Sequence, residues 1–166
     1  ESENPTLGGR VFRYAGGTRW IDCGQLPDTE AVGGLVVFRG KLYASSLYKP
    51  AGFFRYEGEK RWTRLPVPDG PDAATGKTVP KRVVSLTVHD GFLYAGSYDG
   101  GHVYRFDGEK WADCGRLGDN TQTYSFARYE GALHVGTWRS GRVYRFEDVN
   151  RWTDVGRLGE ELEVMG

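Results

Sequence analysis

The chain of 166 residues is long enough for one domain with a substantial core. Lysine plus arginine and aspartate plus glutamate each number 22, so no basic surplus points to nucleic acid, and no apolar run approaches a membrane span. Eight Phe, ten Tyr and five Trp argue against disorder, while 25 Gly and seven Pro, nearly a fifth of the chain, demand many turns.

Along the chain, Glu1-Ser2-Glu3-Asn4 has neither the basic nor the apolar region of a signal peptide, and no initiator Met precedes it. The sequence reads as a processed product or a segment of something longer. One phrase then recurs four times, as Val11-Phe12-Arg13-Tyr14, Phe53-Phe54-Arg55-Tyr56, Val103-Tyr104-Arg105-Phe106 and Val143-Tyr144-Arg145-Phe146. A short polar turn and a tryptophan follow each copy: Trp20, Trp62, Trp111 and Trp152, at spacings of 42, 49 and 41. The longer spacing holds a proline-rich insertion, residues 66–80, expected to be a loop.

Within the third copy, Val83 to Val88, Phe92 to Ser97, Val103 to Phe106 and Trp111 to Leu117 are aromatic and β-branched runs divided by Gly and Asp turns. Such runs read as antiparallel hairpins. No twelve-residue window shows a helical period. Four strands in a period of 40 to 50 residues predict an all-β fold, a β-propeller of four-stranded antiparallel blades with about three and a half blades in this chain. Blades that bury both faces explain why apolar residues occur at both parities along a strand.

The run Leu93-Tyr94-Ala95-Gly96-Ser97-Tyr98-Asp99-Gly100-Gly101, followed by Val103 through Trp111, resembles a kelch repeat. A small-residue pair closes the second strand, a tyrosine lies in the third and a tryptophan opens the fourth. The family's Gly-Gly doublet is here Ala95-Gly96, Ser45-Ser46 and Val135-Gly136, and the period is nearer that of WD40 repeats. The resemblance implies a propeller covering nearly the whole chain. The expected division is a partial blade over residues 1–30, blades over about 31–66, 81–118 and 121–158, and a tail, 159–166, starting a further blade. Closing this chain on itself would leave the joining repeat about seven residues short, in its second strand. The reading therefore favours part of a larger propeller, completed by more chain or by a second copy, with self-association through open ends.

Candidate chemistry is sparse. Cys23 and Cys114 hold the same repeat position two blades apart, too far for a disulfide, and are expected to be buried and free. The unbridged pair fits either redox environment, with a lean to the extracellular side. His89, His102 and His134 have no metal-ligand spacing, and nothing calls for a cofactor. Arg13, Arg105 and Arg145 are expected to pair across strands with Asp22, Asp113 and Asp154, two residues after each tryptophan. Arg55 lacks that partner, because Arg64 stands at the aspartate position. The four repeat tryptophans are expected at equivalent buried positions.

Strand connectivity separates two rims. One carries uniform short turns, such as Glu57 to Lys60 and Asp107 to Lys110. The other carries the insertion, the 119–122 loop, the N-terminal tail, and the candidate ligand-binding residues Tyr48, Lys49, Tyr98, Asp99, Trp138 and Arg139. Aromatic faces with polar neighbours suit a glycan or a protein ligand. The expected function is a non-catalytic binding or scaffold module, lectin-like in its sharper form. The alternative is part of a carbohydrate-active or oxidase-like propeller enzyme.

Overall fold

The computed structural model describes residues 8–72 and 74–165, so the expectation for the tail Glu1 to Thr6 lies outside the described residues. These form strands and turns only. β1 (Arg10–Tyr14) and β2 (Trp20–Gln25) make a two-stranded first sheet. The second sheet is β3 (Val32–Phe38), β4 (Lys41–Ser46), β5 (Phe53–Gly58) and β6 (Arg61–Leu65). After the small hairpin β7 (Asp69–Pro71) and β8 (Thr78–Pro80) comes the third sheet, β9 (Val83–His89), β10 (Phe92–Ser97), β11 (His102–Phe106) and β12 (Trp111–Arg116). The fourth sheet is β13 (Gln122–Tyr129), β14 (Ala132–Trp138), β15 (Arg142–Asp148) and β16 (Arg151–Arg157). Within each sheet, strands pair antiparallel in chain order.

Three apolar layers hold the sheets face to face. Val11, Cys23 and Leu26 meet Ala44, Phe54 and Trp62 between the first two sheets. Phe38, Tyr43 and Phe53 meet Leu93, Ala95, Tyr104 and Phe106 between the second and third. Tyr94, Val103 and Cys114 meet Leu133, Val135 and Tyr144 between the third and fourth. The adjacent Phe53 and Phe54 are both fully buried, in different layers, because successive side chains leave a strand on opposite faces. At roughly 25 cal/mol per Å² of apolar surface, each such ring contributes about 2–3 kcal/mol.

The tryptophans sew the layers together. Trp62 donates its indole N–H to the Cys23 carbonyl at 2.9 Å, and Trp152 donates to the Cys114 carbonyl at 2.8 Å. Trp111 reaches Pro66 just beyond β6, at 2.8 Å. The expected burial of Trp20 fails: it is 60% exposed, since no described sheet lies on the outer side of β1–β2. Trp111 and Trp152 are half-buried and Trp62 is buried. Cys23 and Cys114 are free and buried.

The Arg–Asp expectation also requires correction. Asp22 contacts Arg10, Asp113 contacts His102, and Asp154 contacts Arg142, at 2.9, 2.9 and 2.7 Å. Each partner lies three residues before the arginine expected. The register explains it: Arg13, Arg105 and Arg145 sit opposite Ile21, Ala112 and Thr153, so the neighbouring aspartates project to the other face. Arg55 and Arg145 instead bind Glu57 and Glu147, two residues on along their own strands. In the second sheet the partner position is Gly52, and Arg64 turns to the Ala51 and Pro27 carbonyls, with its guanidinium 5.0 Å from the Phe54 ring.

The insertion is more ordered than a loop. Gly70 pairs with Val79 and Pro71 with Thr78, while Asp72 closes the turn by accepting from the Ala74 and Thr75 N–H groups and the Thr75 hydroxyl. A two-stranded ribbon has only edges, where proline's missing N–H is tolerated.

Candidate functional site

A cavity of about 630 Å³ opens where the insertion meets the turns β4–β5 and β10–β11. Pro50, Ala51, Val79 and Pro80 form apolar walls, and Lys49, Asp72, Lys81, Arg82 and Asp99 bring charge. The Lys49–Pro50 peptide bond is cis.

Lys81, Arg82 and Asp99 are each held by their surroundings. Lys81 is only 5% exposed and donates its ammonium to the Pro71 carbonyl at 2.7 Å, tying the hairpin to the third sheet. Arg82 clamps Asp99 with two guanidinium nitrogens, Nη2 at 2.7 Å from Oδ1 and Nε at 3.0 Å from Oδ2. Its backbone N–H adds a third contact at 2.9 Å. Burial works to raise the Asp99 carboxyl, but the Arg82 guanidinium and amide outweigh it and hold the group below the usual carboxylate range. Asp99 is therefore an ionised, oriented acceptor at neutral pH.

The same guanidinium lies 4.6 Å from the centre of the Tyr98 ring, and Tyr98 meets Tyr124 edge to face at 6.0 Å. Tyr124 bonds the Gln122 side chain, and burial first, then Tyr98, pushes its hydroxyl up to about 12. Beside it, Gly33, Leu47, Val84, Ser85, Tyr124 and Met165 line a smaller cavity of about 200 Å³, where the second, third and fourth sheets converge.

Of the six candidate residues, Lys49 and Asp99 share the large cavity. Tyr98 stands behind it, through Arg82. Tyr48 and Trp138 are half-buried and Arg139 is exposed, and none of the three lines the cavity. The backbone of Trp138 bridges to Glu163, and the Arg139 guanidinium stands 5.8 Å from its ring. Asn120 is an anchor rather than a contact residue: its buried side-chain oxygen accepts from the Arg139 and Ser140 amides and the Ser140 hydroxyl. Sequence reasoning missed Lys81 and Arg82. Their signal was a basic pair between Pro80 and an apolar strand, where polar side chains are forced to the rim.

On the opposite rim, Arg39, Lys41, Asp107, Gly108 and Glu109 line a shallow polar depression formed by the uniform turns. Among the described residues, no group of three or more His, Cys, Asp or Glu side chains could hold a metal ion. The class defined so far is an all-β protein of stacked four-stranded antiparallel sheets with a cavity on its irregular rim. No protein-family model matches the chain, and no curated protein matches it.

Proposed function

We propose that this chain is a kelch-like β-propeller segment acting as a non-catalytic binding module, with a carbohydrate ligand in the cavity at Lys49, Lys81, Arg82 and Asp99. The propeller reading draws support from the three chain-order antiparallel sheets and their repeated face-to-face contacts. One observation carries the ligand reading: a cavity of about 630 Å³ with apolar walls and a clamped Arg82–Asp99 pair. That volume falls in the range usual for small-molecule sites. Oriented charged groups discriminate sugar hydroxyl or carboxylate patterns, because any buried partner left unpaired costs about 1–3 kcal/mol.

A glycan array read with the parent protein, Lys49→Ala and Ala51→Trp tests this. Ala51→Trp should fill the cavity and abolish binding, and Lys49→Ala should weaken it about tenfold, a typical cost for one contact residue. Trp138→Ala should leave binding intact. Loss of binding in Trp138→Ala with none in Ala51→Trp would move the site to Tyr48, Trp138 and Arg139. Binding to a protein partner and to no glycan would replace the ligand class.

A further inference from the structure

The repeat makes the two outermost sheet faces comparable with the inner ones. Phe54, Tyr56 and Trp62 of the second sheet pack against the first, as Tyr144, Phe146 and Trp152 pack against the third. Phe12, Tyr14 and Trp20 hold the same positions on β1–β2, yet are 51%, 58% and 60% exposed. They form a docking face with nothing described beneath it.

The fourth sheet presents the matching receptor. Cys23 and Cys114, whose carbonyls take the indole N–H of the next sheet, correspond there to Val155, which is 47% exposed. One residue on, Gly24, Gly115 and Gly156 share a positive φ of 92°, 100° and 114°. A Cβ at Gly24 would run into the Lys60 carbonyl, and one at Gly115 would press on Asn150, so these glycines are sockets for the following sheet's last turn. Nothing lies within 4 Å of a Cβ at Gly156. That socket is shaped and open.

The C-terminal segment covers only the inner part of this receptor. A Cβ at Gly136 of β14 would meet the Val164 carbonyl at 2.6 Å, as one at the equivalent Gly96 of β10 would meet the Thr123 carbonyl of β13 at 2.6 Å, so residues 161–165 stand where a further sheet's first strand would lie. The outer part, at Val143, Arg145 and Val155, calls for the last two strands of a sheet. β1–β2 is a pair of that kind, with the tryptophan in place. Asp154 stands where Asp22 takes Lys60 of the next sheet, and the β1–β2 turn brings Arg19.

We propose that the chain associates head to tail with a second copy of itself, the Phe12–Tyr14–Trp20 face of one docking on the Val155–Gly156 face of the other. Trp20 then donates its indole N–H to the Val155 carbonyl of the neighbour. Because the two faces differ, the contact is heterologous, and it closes into a ring or continues as a filament.

Sedimentation velocity across two decades of concentration tests this with the chain and two surface variants, Trp20→Glu and Val155→Glu. The parent should shift from monomer to larger species. Each variant alone should associate at least about tenfold more weakly, with unchanged far-UV circular dichroism. Mixed one to one, the variants should form a heterodimer, because each retains the face that the other lacks. Phe12→Glu repeats the head-side result at a second exposed position. A parent that stays monomeric throughout overturns the proposal and leaves the faces to another chain segment or a different protein. So does parent-like association in both variants, or association lost in one and not restored by mixing, which would mean like faces pairing.

Discussion

Trp62 and Cys23 are 39 positions apart in sequence, yet the indole N–H of one donates to the backbone carbonyl of the other at 2.9 Å, across the gap between two sheets. Trp152 and Cys114 repeat the relation. A side chain that fills an apolar layer and satisfies an orphan carbonyl sets the spacing of two sheets as well as their contact.

Trp62→Phe keeps most of the apolar contact and removes the hydrogen bond, so it should destabilise the fold by about 1–2 kcal/mol. Trp20→Phe, at a position 60% exposed, should change stability little when measured on dilute monomer. Urea unfolding of both variants decides this, and equal losses would remove the distinction between them.

Asn120 is 2% exposed, its oxygen accepts three hydrogen bonds, and its amide donates to the Leu117 carbonyl at 2.8 Å. Asn120→Ala should cost about 2–4 kcal/mol, because several buried donors lose their acceptor at once. Amide exchange at Arg139 and Ser140 should accelerate in the variant. Unchanged protection there would disprove the anchoring role.

The Asp22 carboxyl accepts the Gly24 N–H and lies beside Arg10 and Lys60, which together hold it at about 2 against an ordinary 3.8. A depressed folded value means the stabilisation is complete above the unfolded pKa and is lost as pH falls through the folded one. Asp22 should therefore contribute above about pH 4 and fade toward pH 2. The carboxyl carbon shift, followed by NMR, should titrate near 2 in the parent and higher in Arg10→Ala. A parent midpoint at 3.8 would refute the assignment.

The strand order, the antiparallel pairing and the repeat of four tryptophans were legible in the chain because they depend on local chemistry. Gly and Asp turns cut the sequence at regular intervals, and strand-length apolar runs lie between them. The partners of those residues were not legible. Whether Asp22 meets Arg13 or Arg10 turns on a register that one β-bulge shifts, and alternation carries a one-residue shift to the opposite face. Whether Trp20 is buried depends on what stacks against its sheet, which its own sequence position does not state. The cavity formed from Lys49, Lys81, Arg82 and Asp99 joins three segments separated by up to 50 positions. Only the stacking of the second and third sheets, with the proline hairpin folded beside them, brought those charges to one place.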